Sequence, residues 1–176
     1  MKPLTARKSG DLQGTSNELG RDFLLKLELR SHPNLLCVVR GAMEPLMETL
    51  GFSSEHCREI IRGVDEAVSN IMRHSYNGRL DQPIEIYCSR LHRQTEAEME
   101  QGVEILLFDC GPAVDPTKLV ARPLDEIRPG GLGLHIIRGS MDTVEYKRAG
   151  RLNRLRLVKF KGAPESAAES VEEKPS

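Results

Sequence analysis

Arg128-Pro129-Gly130-Gly131-Leu132-Gly133-Leu134-His135-Ile136-Ile137 is the stretch on which the fold turns. Three glycines precede and enter a run whose apolar residues continue to Met141 at helical spacing, so a helix is expected from Gly131 to about Met141. Glycine destabilises a helix by roughly 1 kcal/mol relative to alanine, so a cluster of them at a helix start needs a reason. One reason is a phosphate that must approach backbone amides at the positive end of the helix dipole. Close packing or a hinge would serve as well. The stretch is not a Walker loop, because no Gly-Lys-Ser/Thr follows.

On its N-terminal side lies Pro112 to Pro129, a proline-punctuated segment of mixed charge that reads as an irregular loop. Before it, the apolar run Val103 to Phe108 has the character of a strand buried on both faces for most of its length, and it ends in Asp109-Cys110-Gly111-Pro112. Asp and Gly at a strand end can be a simple turn. They can also form the mouth of a pocket, with Asp109 accepting from a ligand amine and Gly111 letting the ligand approach the backbone.

Further upstream, Val64-Asp65-Glu66-Ala67-Val68-Ser69-Asn70-Ile71-Met72-Arg73-His74-Ser75-Tyr76 is helical in pattern. Glu66, Asn70 and His74 stand four apart and form a polar stripe, opposite Ile61, Val64, Val68 and Ile71. A solvated face explains that stripe in isolation. The remaining pattern supplies the frame. Phe23, Leu25, Leu27 and Leu29 alternate as a strand. Pro33 opens a helix that ends at Gly51, with a kink or restart expected at Pro45, and Ser53 or Ser54 starts the next. After the turn signal Asn77-Gly78, Ile84, Ile86 and Cys88 alternate as a strand, Arg93 to Gln101 reads as a hairpin loop, and Val144–Lys147 with Leu152–Phe160 close as a hairpin turning at Ala149-Gly150. The order strand, two helices, two strands, loop, helix, two strands implies an α+β architecture: a two-layer sandwich of helices on a mixed, mostly antiparallel sheet.

The chain has 176 residues, 39% hydrophobic and 29% charged, which suits one folded domain over about 22–162. Residues 1–21 read as a flexible arm with neither a signal peptide nor an anchor. Residues 163–176, with four Glu against Lys174, read as a disordered acidic tail. The net charge of −1 gives no reason to expect nucleic acid or a membrane as partner. The four cysteines have no metal-ligand spacing and read as reduced thiols of a cytoplasmic protein.

Taken in order, the three clusters resemble the N, G1 and G2 boxes of the GHKL ATPases (the gyrase and histidine-kinase type), in the variant of the anti-sigma serine kinases. Glu66-Ala67-x-x-Asn70-x-x-x-His74-x-Tyr76, Asp109-x-Gly111-Pro112-x-x-Asp115-Pro116 and Gly130 to Arg138 carry the likeness, which covers about 23–160; Met141-Asp142-x-Val144-Glu145-Tyr146 joins it. The resemblance implies the Bergerat ATP-binding fold and a protein serine/threonine kinase using ATP and Mg²⁺. Glu66 would be the general base, and Asn70 a Mg²⁺ ligand at the cofactor. Asp109, with Gly111 beside it, would receive the adenine amino group. The amides of Gly130, Gly131, Leu132, Gly133 and Leu134 would hold the phosphates, and Arg128 would reach the terminal one. The implied substrate is a STAS-domain anti-sigma-factor antagonist, and the implied assembly a homodimer. Whether a sigma factor is bound as well stays open, as do a switch kinase without a sigma partner and a nucleotide-sensing module without phosphotransfer. Ala113 departs from the family pattern, where many members have a second glycine.

Overall fold

The computed structural model describes residues 22–96, 99–113 and 132–162. The expected arm, the acidic tail and most of the loop before the glycine cluster lie outside them, as do Arg128, Gly130 and Gly131.

Strand β1 (Phe23–Arg30) leads through a 3-10 turn (Pro33–Leu35) into α1 (Leu36–Thr49). The helix runs through Pro45 without the expected restart. The residue whose carbonyl a proline ring crowds, four positions back, is Gly41, which is exposed. Gly51, at φ +80°, ends the helix as expected. Ser53 caps α2 (Ser54–Asn70), its hydroxyl accepting from the His56 amide at 3.2 Å. The helix then widens into one π-helical turn, Ile71–Ser75, closed by the Tyr76 amide donating to the Ile71 carbonyl. Such turns recur at functional sites. Asn77 and Gly78, at φ +49° and +74°, make the reversal that their sequence signalled.

Strands β2 (Pro83–Gln94) and β3 (Met99–Asp109) form a longer hairpin than the sequence suggested, because the ladder continues through Arg93 opposite Glu100. Those two side chains are ion-paired, and the Arg93 guanidinium lies 3.8 Å from the centre of the Phe160 ring. Polar side chains at 93–101 hid a strand that backbone pairing sustains. Helix α3 (Leu132–Ser140) and the hairpin β4 (Thr143–Ala149) and β5 (Leu152–Phe160) complete the chain.

The sheet order is β1-β2-β3-β5-β4, antiparallel at every pairing among the described residues. The three helices cover one face. Ile84, Ile86, Val103, Ile105, Leu107 and Leu157 from the sheet bury against Met43, Met47, Ile60, Val64 and Val68 from the helices. On the other face Tyr87, Leu106 and Phe108 form a smaller cluster, which is why the 103–108 run is apolar on both sides. None of the four cysteines is in a disulfide, and burial pushes the Cys88 thiol up to about 12. No described helix is long and apolar enough to cross a membrane.

Candidate nucleotide site

Two corners of the fold gather the polar residues singled out above. The first is built from strands. Asp109 ends β3 and is only 6% exposed. Its Oδ1 accepts from the Gly111 amide and from the Asn153 side-chain amide, both at 2.8 Å. Asn153, 1% exposed, stands directly across the β3–β5 ladder from Asp109. The same amide group reaches the carbonyls of Gly111 at 3.3 Å and Pro112 at 3.2 Å, while its oxygen accepts from the Tyr146 hydroxyl at 2.6 Å and from Arg148. Arg148 also donates to the Gly111 carbonyl at 3.0 Å.

Burial holds the Asp109 carboxyl above its ordinary range. The hydrogen bonds from Asn153, Gly111 and Ser75 and the nearby Arg148 pull the other way without cancelling it. Gly111 is a glycine here for a packing reason: an added Cβ would lie 2.6 Å from Ser75 Cβ and 2.9 Å from Asp109 Oδ1. Tyr76, fully buried, ties this corner to the end of α2. Its hydroxyl donates to the Pro83 carbonyl at 2.6 Å and accepts from the Cys110 amide at 2.8 Å.

The second corner is built from helices. Glu66 and Asn70 face the start of α3, and Gly133 fits directly against them. A Cβ there would collide with Glu66 Oε1 and stand 3.0 Å from its carboxyl carbon and 3.1 Å from Asn70 Nδ2. A second glycine, Gly63, closes the same helix pair further along: its Cβ would lie 2.7 Å from Met141 Cε. Two glycines thus set how near α3 approaches α2. Glu66 Oε1 also accepts from Arg73 Nη2 at 3.0 Å. His74, third member of the expected stripe, is exposed, and it is Arg73 beside it that reaches back to Glu66. Glu66 also lines a groove with Arg40, Arg58, Arg62, Asp65 and Ser69 and with Ile136 of α3, and Arg40 is ion-paired to Asp65.

The structure therefore brings Glu66, Asn70 and Gly133 together, and Asp109 with Gly111. Leu132 and Leu134 lie in the first turn of α3. Asn153, Ser75, Arg148 and Arg73 were missed. Asn is disfavoured in strands, so Asn153 inside β5 was a usable signal, but its partner becomes visible only with the register. A purine nucleotide fits this arrangement: a buried acceptor with a fixed orientation at one end, and a carboxylate, an amide and a side-chain-free backbone at the other. Among the described residues no cluster of three His, Cys, Asp or Glu could hold a metal ion.

Comparison with known proteins identifies the family of the chain. The family model of the histidine kinase-like ATPase domain matches residues 29–159. The serine/threonine-protein kinase BtrW of Bordetella bronchiseptica is 37% identical over 106 residues, 58% of this chain and 68% of that protein. The serine-protein kinase RsbW of Oceanobacillus iheyensis is 26% identical over 133 residues, 69% of this chain and 77% of that protein. Among solved structures, one chain of the SiaB–SiaC complex from Pseudomonas aeruginosa superposes with a TM-score of 0.59 over 85% of this chain and 98% of that one, at 16% identity, a likeness of fold alone. With three α-helices on an open five-stranded sheet among the described residues and a family match across most of its length, the chain belongs to the histidine kinase-like (GHKL) ATPases, on the branch of the anti-sigma serine kinases.

Proposed function

We propose that the chain is an ATP-dependent serine/threonine protein kinase that phosphorylates a STAS-domain anti-sigma-factor antagonist, as one arm of a partner switch. The observation that carries this reading is Glu66: a carboxylate pressed against the Gly133 backbone, next to Asn70, and lining a surface groove. A base between a phosphate site and a protein-accessible groove suits transfer to a side chain. The kinase names of the relatives support the same class.

Asp109 would accept from the adenine amino group, with Gly111 beside it. The amides from Gly130 to Leu134 would hold the phosphates, and Arg128 would reach the terminal one. Mg²⁺, held by Asn70 and phosphate oxygens, would supply charge neutralisation. Glu66 takes the proton of the acceptor serine as its Oγ bonds to the terminal phosphorus. The bond from that phosphorus to the bridging oxygen breaks, and ADP leaves with the electron pair. The homodimer, the cytoplasmic location, the arm over 1–21 and the acidic tail over 163–176 belong to the same proposal. A sigma factor is its further extension.

The test is direct. The chain is incubated with Mg·ATP and the STAS-domain protein encoded nearest its gene, and phosphoserine is sought by mass spectrometry. Stoichiometric phosphorylation supports the kinase. Tight nucleotide binding with no transfer to any such protein would favour the nucleotide-sensing module.

A further inference from the structure

Arg58, Arg62 and Glu66 stand four residues apart on α2 and so share one side of that helix. All three line the surface groove, together with Glu44 of α1 and the half-buried Ile61 and Ile136. The charges of the groove are unevenly matched. Asp65 is ion-paired to Arg40 and Glu66 to Arg73, whereas the exposed Arg58 and Arg62 meet no carboxylate among the described residues. Of the lining carboxylates this leaves Glu44 against two guanidiniums. One acceptor is also unused: Asp65 Oδ1 is buried and has no hydrogen-bond partner among the described residues. A buried oxygen without a donor is costly, and a donor brought by a bound chain removes that cost.

We propose that this groove receives an extended, acidic segment of the substrate protein, the segment that carries the acceptor serine, with its carboxylates on Arg58 and Arg62. This rests on the kinase reading of Glu66 and adds to it two residues that select the substrate. A helix rises about 1.5 Å per residue, so Arg62 lies about 6 Å and Arg58 about 12 Å from Glu66 along α2. An extended chain rises about 3.3 Å per residue and turns alternate side chains to the same face. With the serine hydroxyl at Glu66, the matching carboxylates fall about two and about four residues from the serine, on one face of the segment. Each guanidinium offers a planar donor fork that fits a carboxylate. An N–H of the segment supplies the donor that Asp65 Oδ1 lacks, and Ile61 and Ile136 give an apolar side chain a place to rest. A basic segment would meet Arg58 and Arg62 as like charges and be rejected.

The experiment uses the full chain with Mg·ATP and the STAS-domain protein encoded nearest its gene. Steady-state phosphorylation, binding of that protein and binding of ATP are measured for the wild type, the Arg58→Glu/Arg62→Glu double variant and its Arg58→Lys/Arg62→Lys counterpart. Reversing the charges should raise KM and weaken binding of the protein about tenfold or more, with kcat and ATP affinity within about twofold. The difference should shrink in about 0.5 M salt, and the lysine pair should lie between, keeping the charge without the fork. Arginines placed in the substrate protein at the two acidic positions should restore the charge-reversed kinase. An unchanged KM and affinity in the double glutamate variant, or a loss confined to kcat or ATP affinity, overturns the groove assignment and leaves the kinase reading standing. So does a phosphorylated serine with no carboxylate within four residues. A wild type that transfers no phosphate to the protein overturns the kinase reading and the groove with it.

Discussion

The Asp109 corner and the Glu66 corner differ in what holds them. Asp109 and Asn153 are 6% and 1% exposed, lie opposite each other on a continuous ladder, and are fixed by several hydrogen bonds apiece. Glu66 lies on a helix with 22% of its side chain exposed, paired to a more exposed arginine, and the chain before α3 is outside the described residues. A carboxylate in the first setting cannot re-aim, which suits reading a base. One in the second can exchange partners, which suits chemistry.

The largest effect should come from breaking the helix corner. Gly133→Val would drive a branched side chain into Glu66, and displacing a reacting group by about 1 Å can slow a reaction 10²-fold. Phosphotransfer should fall at least that far, with nucleotide affinity reduced and the circular dichroism spectrum native. Wild-type affinity and rate in this variant would put the phosphates elsewhere.

At the strand corner, Asp109→Asn should abolish a preference for ATP over GTP. Whichever way the new amide turns, one of its donors faces either the adenine amino group or the Asn153 amide, a mismatch of about 1–3 kcal/mol, or roughly 5- to 150-fold. Competition titrations with both nucleotides would show it, and an unaltered ratio would remove Asp109 from base recognition.

A smaller effect sharpens the contrast in stability. Asn153→Ala strands buried partners on three segments, so denaturant melts should show a loss of about 1–3 kcal/mol. Arg73→Ala removes an exposed pair and should cost about 0–1 kcal/mol. Equal losses would erase the distinction between the corners.

The smallest effect is on pH. The folded pKa of Asp109 lies above its ordinary 3.8, so between those two values the folded protein binds more protons than the unfolded chain. Ionisation there subtracts from stability as pH rises through that window, and the contribution is fully present below it. ATP affinity should move the opposite way, falling several-fold as acid neutralises the acceptor, and starting at a higher pH than for an ordinary carboxylate. In Asp109→Asn that dependence should vanish.

Much of this was legible because it is periodic or covalently local. The strand alternation at 23–29, the caps at Gly51 and Ser53, the Asn77-Gly78 reversal and the glycine-led helix are short-range signals, and the structure has them. Asp109 and Glu66 stood out through the family resemblance of their ordered boxes, since alone they read as a turn residue and part of a solvated helix face. What escaped depends on register and reach. Asn153 matters because residue 153 pairs with residue 109 across 44 positions. The Arg73–Glu66 contact depends on side-chain reach across two helical turns. The role of Gly111 changes too, since Ser75 packs where the sequence suggested room for a ligand.

In the proposed kinase one end of this site would read the base and the other would transfer the phosphoryl group, with Glu66 as the proton acceptor. Glu66→Gln keeps size and hydrogen bonding but removes basicity. Single-turnover phosphorylation of the antagonist at saturating Mg·ATP should fall by about 10²–10⁴-fold, while ATP affinity stays within about threefold. A variant that transfers phosphate as fast as the wild type would contradict the account.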